Sequence, residues 1–125
     1  MKVRCVRIVN PATRAIEEYS PWVRIGGEYL VLEISAAPNG HVSLRIHLEE
    51  GAPGLWDSTM FETTDVAIPS NWVAKVSRKG GVDLGPERWL EPGFWERYFD
   101  REPEAVAVFD DETSVILNDS TRTGS

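Results

Sequence analysis

The chain has 125 residues, 42% hydrophobic and 26% charged, with a formal net charge of −7 and one cysteine. That length makes a single domain able to bury roughly two thirds of its unfolded surface, and one cysteine excludes an internal disulfide. No run approaches the roughly 18 apolar residues of a membrane-spanning helix, and Lys2, Arg4 and Arg7 interrupt the apolar stretch a signal peptide needs, so a cytoplasmic location is expected.

Residues 3–9 read as a first strand, followed by a turn at Asn10-Pro11 and a loop and tight bend through Ser20 to Gly27. The clearest element is a hairpin. Leu30, Leu32, Ile34 and Ala36 alternate with Tyr29, Val31, Glu33 and Ser35, and Val42, Leu44, Ile46 and Leu48 alternate with Ser43, Arg45 and His47. Period two predicts two strands with one apolar face each. Ala37-Pro38-Asn39-Gly40-His41 joins them, with Gly40 free to take a positive φ. A loop of that length pairs Ile34 with Leu44 and Leu32 with Ile46 on the core face, and Glu33 with Arg45 on the outer face, as an exposed cross-strand ion pair.

After a Gly/Pro/acid loop at Glu49 to Gly54, Leu55-Trp56-Asp57 leads to a short run at Thr59 to Thr63. A strand over 71–78 sets Trp72, Ala74 and Val76 on one face, and Gly80-Gly81 turns it toward Val82-Asp83-Leu84. Further on the period changes. Phe94, Trp95, Tyr98 and Phe99 form one stripe of a short helix over 92–100, a plug for the sheet. Pro103 suits the first turn of a second helix with Ala105, Val106 and Phe109 on one face; a hairpin around Asp110 to Thr113 is the alternative for 103–117. These elements predict an α+β domain over residues 1–117. It is a small bent antiparallel sheet or SH3-like partly open barrel with one or two short C-terminal helices, and 118–125 form a polar disordered tail.

Charge is distributed unevenly. Through Leu48, six Lys/Arg stand against four Glu, and from Glu49 onward seven stand against sixteen Asp/Glu. Acidic surface repels phosphate and anionic lipid, which disfavours nucleic acid and membrane as partners and favours a basic protein.

Catalytic constellations are missing. His41 lies in the hairpin loop and His47 on an outer strand face, neither with a spacing partner, and no zinc motif, nucleophile elbow, phosphate loop or Cys/His pair occurs. Asp57, Glu62 and Asp65 beside Trp56 leave a two-acid hydrolase using Asp57 and Glu62 as an alternative, although solvated surface explains them more simply. Asp110-Asp111-Glu112 lacks the ligand spacing and glycine of a calcium loop. The expectation is a non-enzyme without cofactor or metal.

Trp72, Trp89 and Trp95 fall within strand or helix patterns and are expected in the core, whereas Trp22 and Trp56, in loop-like contexts, are candidates for partly exposed anchors, with packing over the barrel end as the equal alternative. Cys5 reads as a small buried hydrophobe. The candidate partner-binding residues are Glu49, Glu50, Trp56, Asp57, Glu62 and Asp65, whose five acids have no compensating base nearby in the sequence. An acidic patch of this kind would steer a basic protein partner. A module binding a peptide or small ligand through Trp22, Trp56 and Tyr29 is a further alternative.

Gly26 to Leu32, Leu55-Trp56-Asp57 with Phe61-Glu62, Ile68 to Trp72, and Gly93 to Glu96 with Phe99-Asp100 together resemble immunity proteins of bacterial polymorphic-toxin and contact-dependent-inhibition loci. That resemblance spans about two thirds of the chain. It implies a non-enzymatic inhibitor that binds a cognate toxin domain, plausibly a nuclease, in the cytoplasm. The first half separately is similar to an SH3-like barrel, an analogy of fold alone.

Overall fold

A computed structural model describes residues 1–49 and 52–123, with side chains as far as Ser120. Among the described residues nine strands and two helices follow one another: β1 (Lys2–Cys5), β2 (Ile8–Val9), β3 (Ile16–Glu17), β4 (Glu28–Ala36), β5 (Val42–Ile46), β6 (Leu55–Asp57), β7 (Phe61–Asp65), β8 (Trp72–Val76), β9 (Val82–Pro86), α1 (Phe94–Phe99) and α2 (Pro103–Thr123). Seven strands make one antiparallel sheet in the order β6-β5-β4-β1-β7, with β9 also paired to β4 and β8 to β9. β2 and β3 form a separate ribbon.

The long strand β4 is the axis. Its first residues pair with β1 and its last with β9, so one edge carries two branches while the other carries β5. β6 and β7 end the main order without pairing to each other, so the sheet is antiparallel, branched and not closed.

The β4–β5 hairpin has the expected loop: Ala37 N–H donates to the His41 carbonyl at 2.8 Å, and Gly40 sits at φ 89°. Ile34 pairs with Leu44 and Glu33 with Arg45. The register then slips, and Val31 rather than Leu32 lies opposite Ile46. An extra residue on one strand does this, bending the sheet and increasing its local twist.

One expectation about this hairpin is corrected. Val31, Glu33 and Arg45, assigned to the outer face, are as buried as Leu32, Leu44 and Ile46. The alternation is real, but both faces are covered, because α1 and α2 pack on each other and α2 packs on β4. Alternation reports which residues share a face. Whether a face meets water depends on what the rest of the chain lays over it.

Other differences are local. The first strand breaks at Cys5, where the Val6 and Arg7 N–H groups both donate to the Met60 carbonyl and the chain leaves the sheet to form β2. In β8 only Trp72 is buried while Ala74 and Val76 are exposed, since this strand pairs with β9 alone. The hairpin alternative for 103–117 is not adopted. Pro103 opens a single helix that buries Ala105, Thr113 and Ile116 along one stripe and crosses the expected boundary at residue 117. Near its end the Asp119 carboxylate accepts from the Ser70 N–H and hydroxyl, both at 2.7 Å, tying the last turns to the loop before β8. Gly124 and Ser125 lie outside the described residues.

Candidate functional site

At the tip of the β2–β3 ribbon, the Asn10 carboxamide oxygen accepts from the Ala12 and Thr13 N–H groups, and Arg14 takes a left-handed φ of 64°. A non-glycine residue adopts that conformation at a cost. Here it sets the Arg14 guanidinium 3.5 Å from the Asp57 carboxylate and 3.4 Å from His41 Nδ1. Asp57 also caps the short 3-10 turn that follows β6, accepting from the Thr59 N–H at 2.9 Å and its hydroxyl at 2.7 Å. The Thr59 hydroxyl holds the Asp57 carboxyl below the usual carboxylate range; the Thr59 N–H, Arg14 and His41 add to this against partial burial.

Beneath this polar rim lies a cavity of about 540 Å³. Its walls are mainly apolar, from Val9, Trp22, Leu48, Leu55, Trp56 and Met60. A second cavity of about 440 Å³ adjoins it, sharing Trp22 and Leu48 and adding Arg24, Glu28, Tyr29 and Glu49. Tyr29 is held in place because its hydroxyl accepts from the Arg24 N–H at 2.9 Å. A Cβ at Gly27 would stand 2.8 Å from the Tyr29 oxygen and 3.1 Å from the Arg24 carbonyl, so a larger residue there would have to displace one of them.

Trp22 is the common wall, and it is 53% exposed. Ile16, Tyr19 and Ile25 on the same segment are 74, 77 and 57% exposed. Apolar residues recur at every third position from Ile16 in β3 through Tyr19 and Trp22 to Ile25 in the segment that follows, whereas the cavities that Trp22 lines are assembled from chain segments far apart in sequence.

The expected acidic cluster is divided by the fold. Asp57 is engaged by Thr59 and Arg14. Glu62 lies on β7 directly across from Arg4, and Asp65 across from Lys2, so strand pairing brings the bases that linear sequence placed sixty residues away. Asp65 also accepts from the Ala67 N–H at 2.8 Å. Glu49 lines the second cavity and is exposed, while Glu50 lies outside the described residues. Of the six candidates the groove gathers Glu49, Trp56 and Asp57. Asp111 and Glu112, part of the acid run tested for a metal, flank Arg88 at 3.9 and 3.3 Å.

A second charged cluster is internal. Arg45 and Glu33 approach to 3.7 Å with side chains only 6% exposed. The Arg45 guanidinium lies 3.7 Å from the centre of the Trp95 ring and donates to the Pro53 carbonyl. Burial pushes the Glu33 carboxyl up to about 7; Arg45 opposes the shift, Asp83 adds to it, and the Trp95 indole favours the charged form without reaching hydrogen-bond geometry. Gly85 leaves room for this side chain, since a Cβ there would stand 3.0 Å from Glu33 Cγ. Around it Trp89 stacks on Phe109 at 5.2 Å and meets Trp95 edge-on at 5.4 Å. The pair joins sheet, helical cap and the loop before β6, and opens on neither cavity.

Among the described residues no helix is long and apolar enough to cross a membrane. A scan against protein-family models, a search of curated proteins and a search of solved structures each return no match for this chain.

Proposed function

We propose that this chain is a non-catalytic binding protein of immunity type, which neutralises a basic toxin domain in the cytoplasm by covering it, and that its interface is the groove around Trp22. The observation that supports this is Trp22, more than half exposed and lining both cavities, on a segment where Ile16, Tyr19 and Ile25 are also more than half exposed. Single exposed apolar residues are ordinary. Four on one segment, one of them the wall of two cavities with a few converging polar groups, favour an interaction surface. Clustered acid then contributes steering more than contact, because Asp57, Glu62 and Asp65 have bases beside them.

The groove also favours a second reading, a module that binds a peptide or small ligand through Trp22, Trp56 and Tyr29. These three residues line two adjoining cavities, Tyr29 and Trp56 while also packing in part against the core. The SH3-like partly open barrel belongs to this reading, and the bent sheet is compatible with it without closing.

Co-expression with the product of the neighbouring reading frame tests the first reading. The two proteins are expected to co-purify and cell growth to be protected, with both effects lost in Trp22→Ala while its circular dichroism stays unchanged. Absence of a complex and of protection, or a Trp22→Ala variant that still protects, would overturn it.

A further inference from the structure

Resting on the groove as the interface, we infer that it reads an extended segment of the partner that carries an apolar side chain and, beside it, a lysine or arginine: the apolar group enters the first cavity and the cation the second.

The two cavities differ in chemistry. In the first, Arg14, Asp57 and His41 are already engaged with one another, and the remaining walls include Leu48, Leu55 and Met60 with Trp22 and Trp56. Such walls reward burial of an apolar side chain and nothing else. The second has the aromatic faces of Trp22 and Tyr29 together with the carboxylates of Glu28 and Glu49. One Glu28 oxygen accepts from the Thr64 hydroxyl at 2.9 Å, and among the described residues no ion pair engages Glu49. Arg24 and His47 also line this cavity, so two carboxylates stand against one guanidinium and one imidazole. Carboxylates beside aromatic faces complement an ammonium or guanidinium on a flexible apolar stem, which lies along the ring while its charge meets the acid.

Adjacency sets the spacing. Because Trp22 and Leu48 belong to both cavities, the two side chains must come from neighbouring positions on one face. In an extended chain these are i and i+2, about 7 Å apart. The partner's net basic character and this local preference then act together: long-range attraction brings it in, and the second cavity selects the register.

The test uses the full chain and acetylated, amidated pentapeptides Gly-Leu-Thr-X-Gly, with X lysine, norleucine or glutamate, titrated against the indole N–H resonance of Trp22. The lysine peptide is expected to bind about tenfold more tightly than the norleucine peptide at low salt. That advantage should vanish in the double variant Glu28→Gln, Glu49→Gln and shrink at high salt, while the norleucine peptide binds wild type and double variant alike. Trp22→Ala, followed by other groove resonances, should lose both peptides. Equal binding of lysine and norleucine peptides to the wild type, or a lysine preference that survives in the double variant, would overturn the inference and leave the groove standing as an apolar site. If no peptide perturbs Trp22, the inference falls together with the reading of the groove as the interface.

Discussion

The helical cap and the groove are built from the same residue types and use them in opposite ways. Beneath the cap, Arg45 lies against Trp95 of α1 with Glu33 at 3.7 Å, both charged side chains 6% exposed, and Trp89 is 1% exposed. In the groove, Arg14 reaches Asp57 at 3.5 Å with its side chain 62% exposed, and Trp22 stands half in water. Residue type therefore decides little by itself. Desolvated charges and rings hold structure, because displacing them leaves an unpaired charge or a void; solvated ones cost little to rearrange and are free to meet a partner.

The largest expected effect breaks this contrast at its tryptophans. Trp89→Ala removes a buried ring stacked on Phe109 and should cost about 3–5 kcal/mol in denaturant unfolding. Trp22→Ala should stay within about 0.5 kcal/mol of the parent. Similar losses from both would mean that Trp22 is structural and the groove a packing defect.

Next is the buried ion pair. Arg45→Met leaves Glu33 without its cation and frees the Pro53 carbonyl, and should destabilise by about 3–5 kcal/mol at pH 8. At pH 5 the loss should be smaller, because Glu33 is then mostly protonated and has no charge to strand.

The pH dependence of the parent sharpens the same point. Glu33 titrates near 7 in the folded chain against 4.5 ordinarily, so the folded state holds this proton more tightly than the unfolded one. Its contribution to stability is therefore full below about pH 4.5 and is lost as pH rises through 7. Between pH 5 and pH 8 this group alone should lower unfolding free energy by about 2–3 kcal/mol, and Glu33→Gln should flatten that part of the profile. A parent whose stability rises over this window, with Glu33→Gln rising less, would show that the pair is net stabilising and that burial is the lesser influence.

The smallest effect lies on the groove's rim. Asp57→Ala loses the cap on the 58–60 turn and should cost about 1 kcal/mol. Because it also releases Arg14, it should alter peptide binding in the groove out of proportion to that loss of stability, which parallel titration and unfolding measurements would reveal.

Much of the fold was legible in local chemistry. The 37–41 loop, the Ile34–Leu44 and Glu33–Arg45 pairings, the β8–β9 turn and the 94–99 helix follow from period-two alternation, from glycine at φ-positive turns and from an apolar stripe at helical spacing. Trp22 was also separable from Trp89 by its loop-like context, whereas Trp56 lies in β6, half-buried against the core. Less legible was what meets what across the sheet. The sequence offered no sign that Arg4 and Lys2 would lie beside Glu62 and Asp65, or that Arg14 would reach Asp57. Counting charge along the chain thus overstated the free acid between residues 49 and 65.

By itself, the sequence determined an acidic chain of mixed α and β structure, its main hairpin and the contrast between exposed Trp22 and buried Trp89, because these depend on contacts within a few residues or on composition. Tertiary structure alone decided that Glu33 and Arg45 are interior, that the acids are divided between strand pairs and groove, and that Trp22 separates an apolar cavity from an acidic one. Each of these depends on which distant segment covers a face, and side-chain alternation carries no record of that cover.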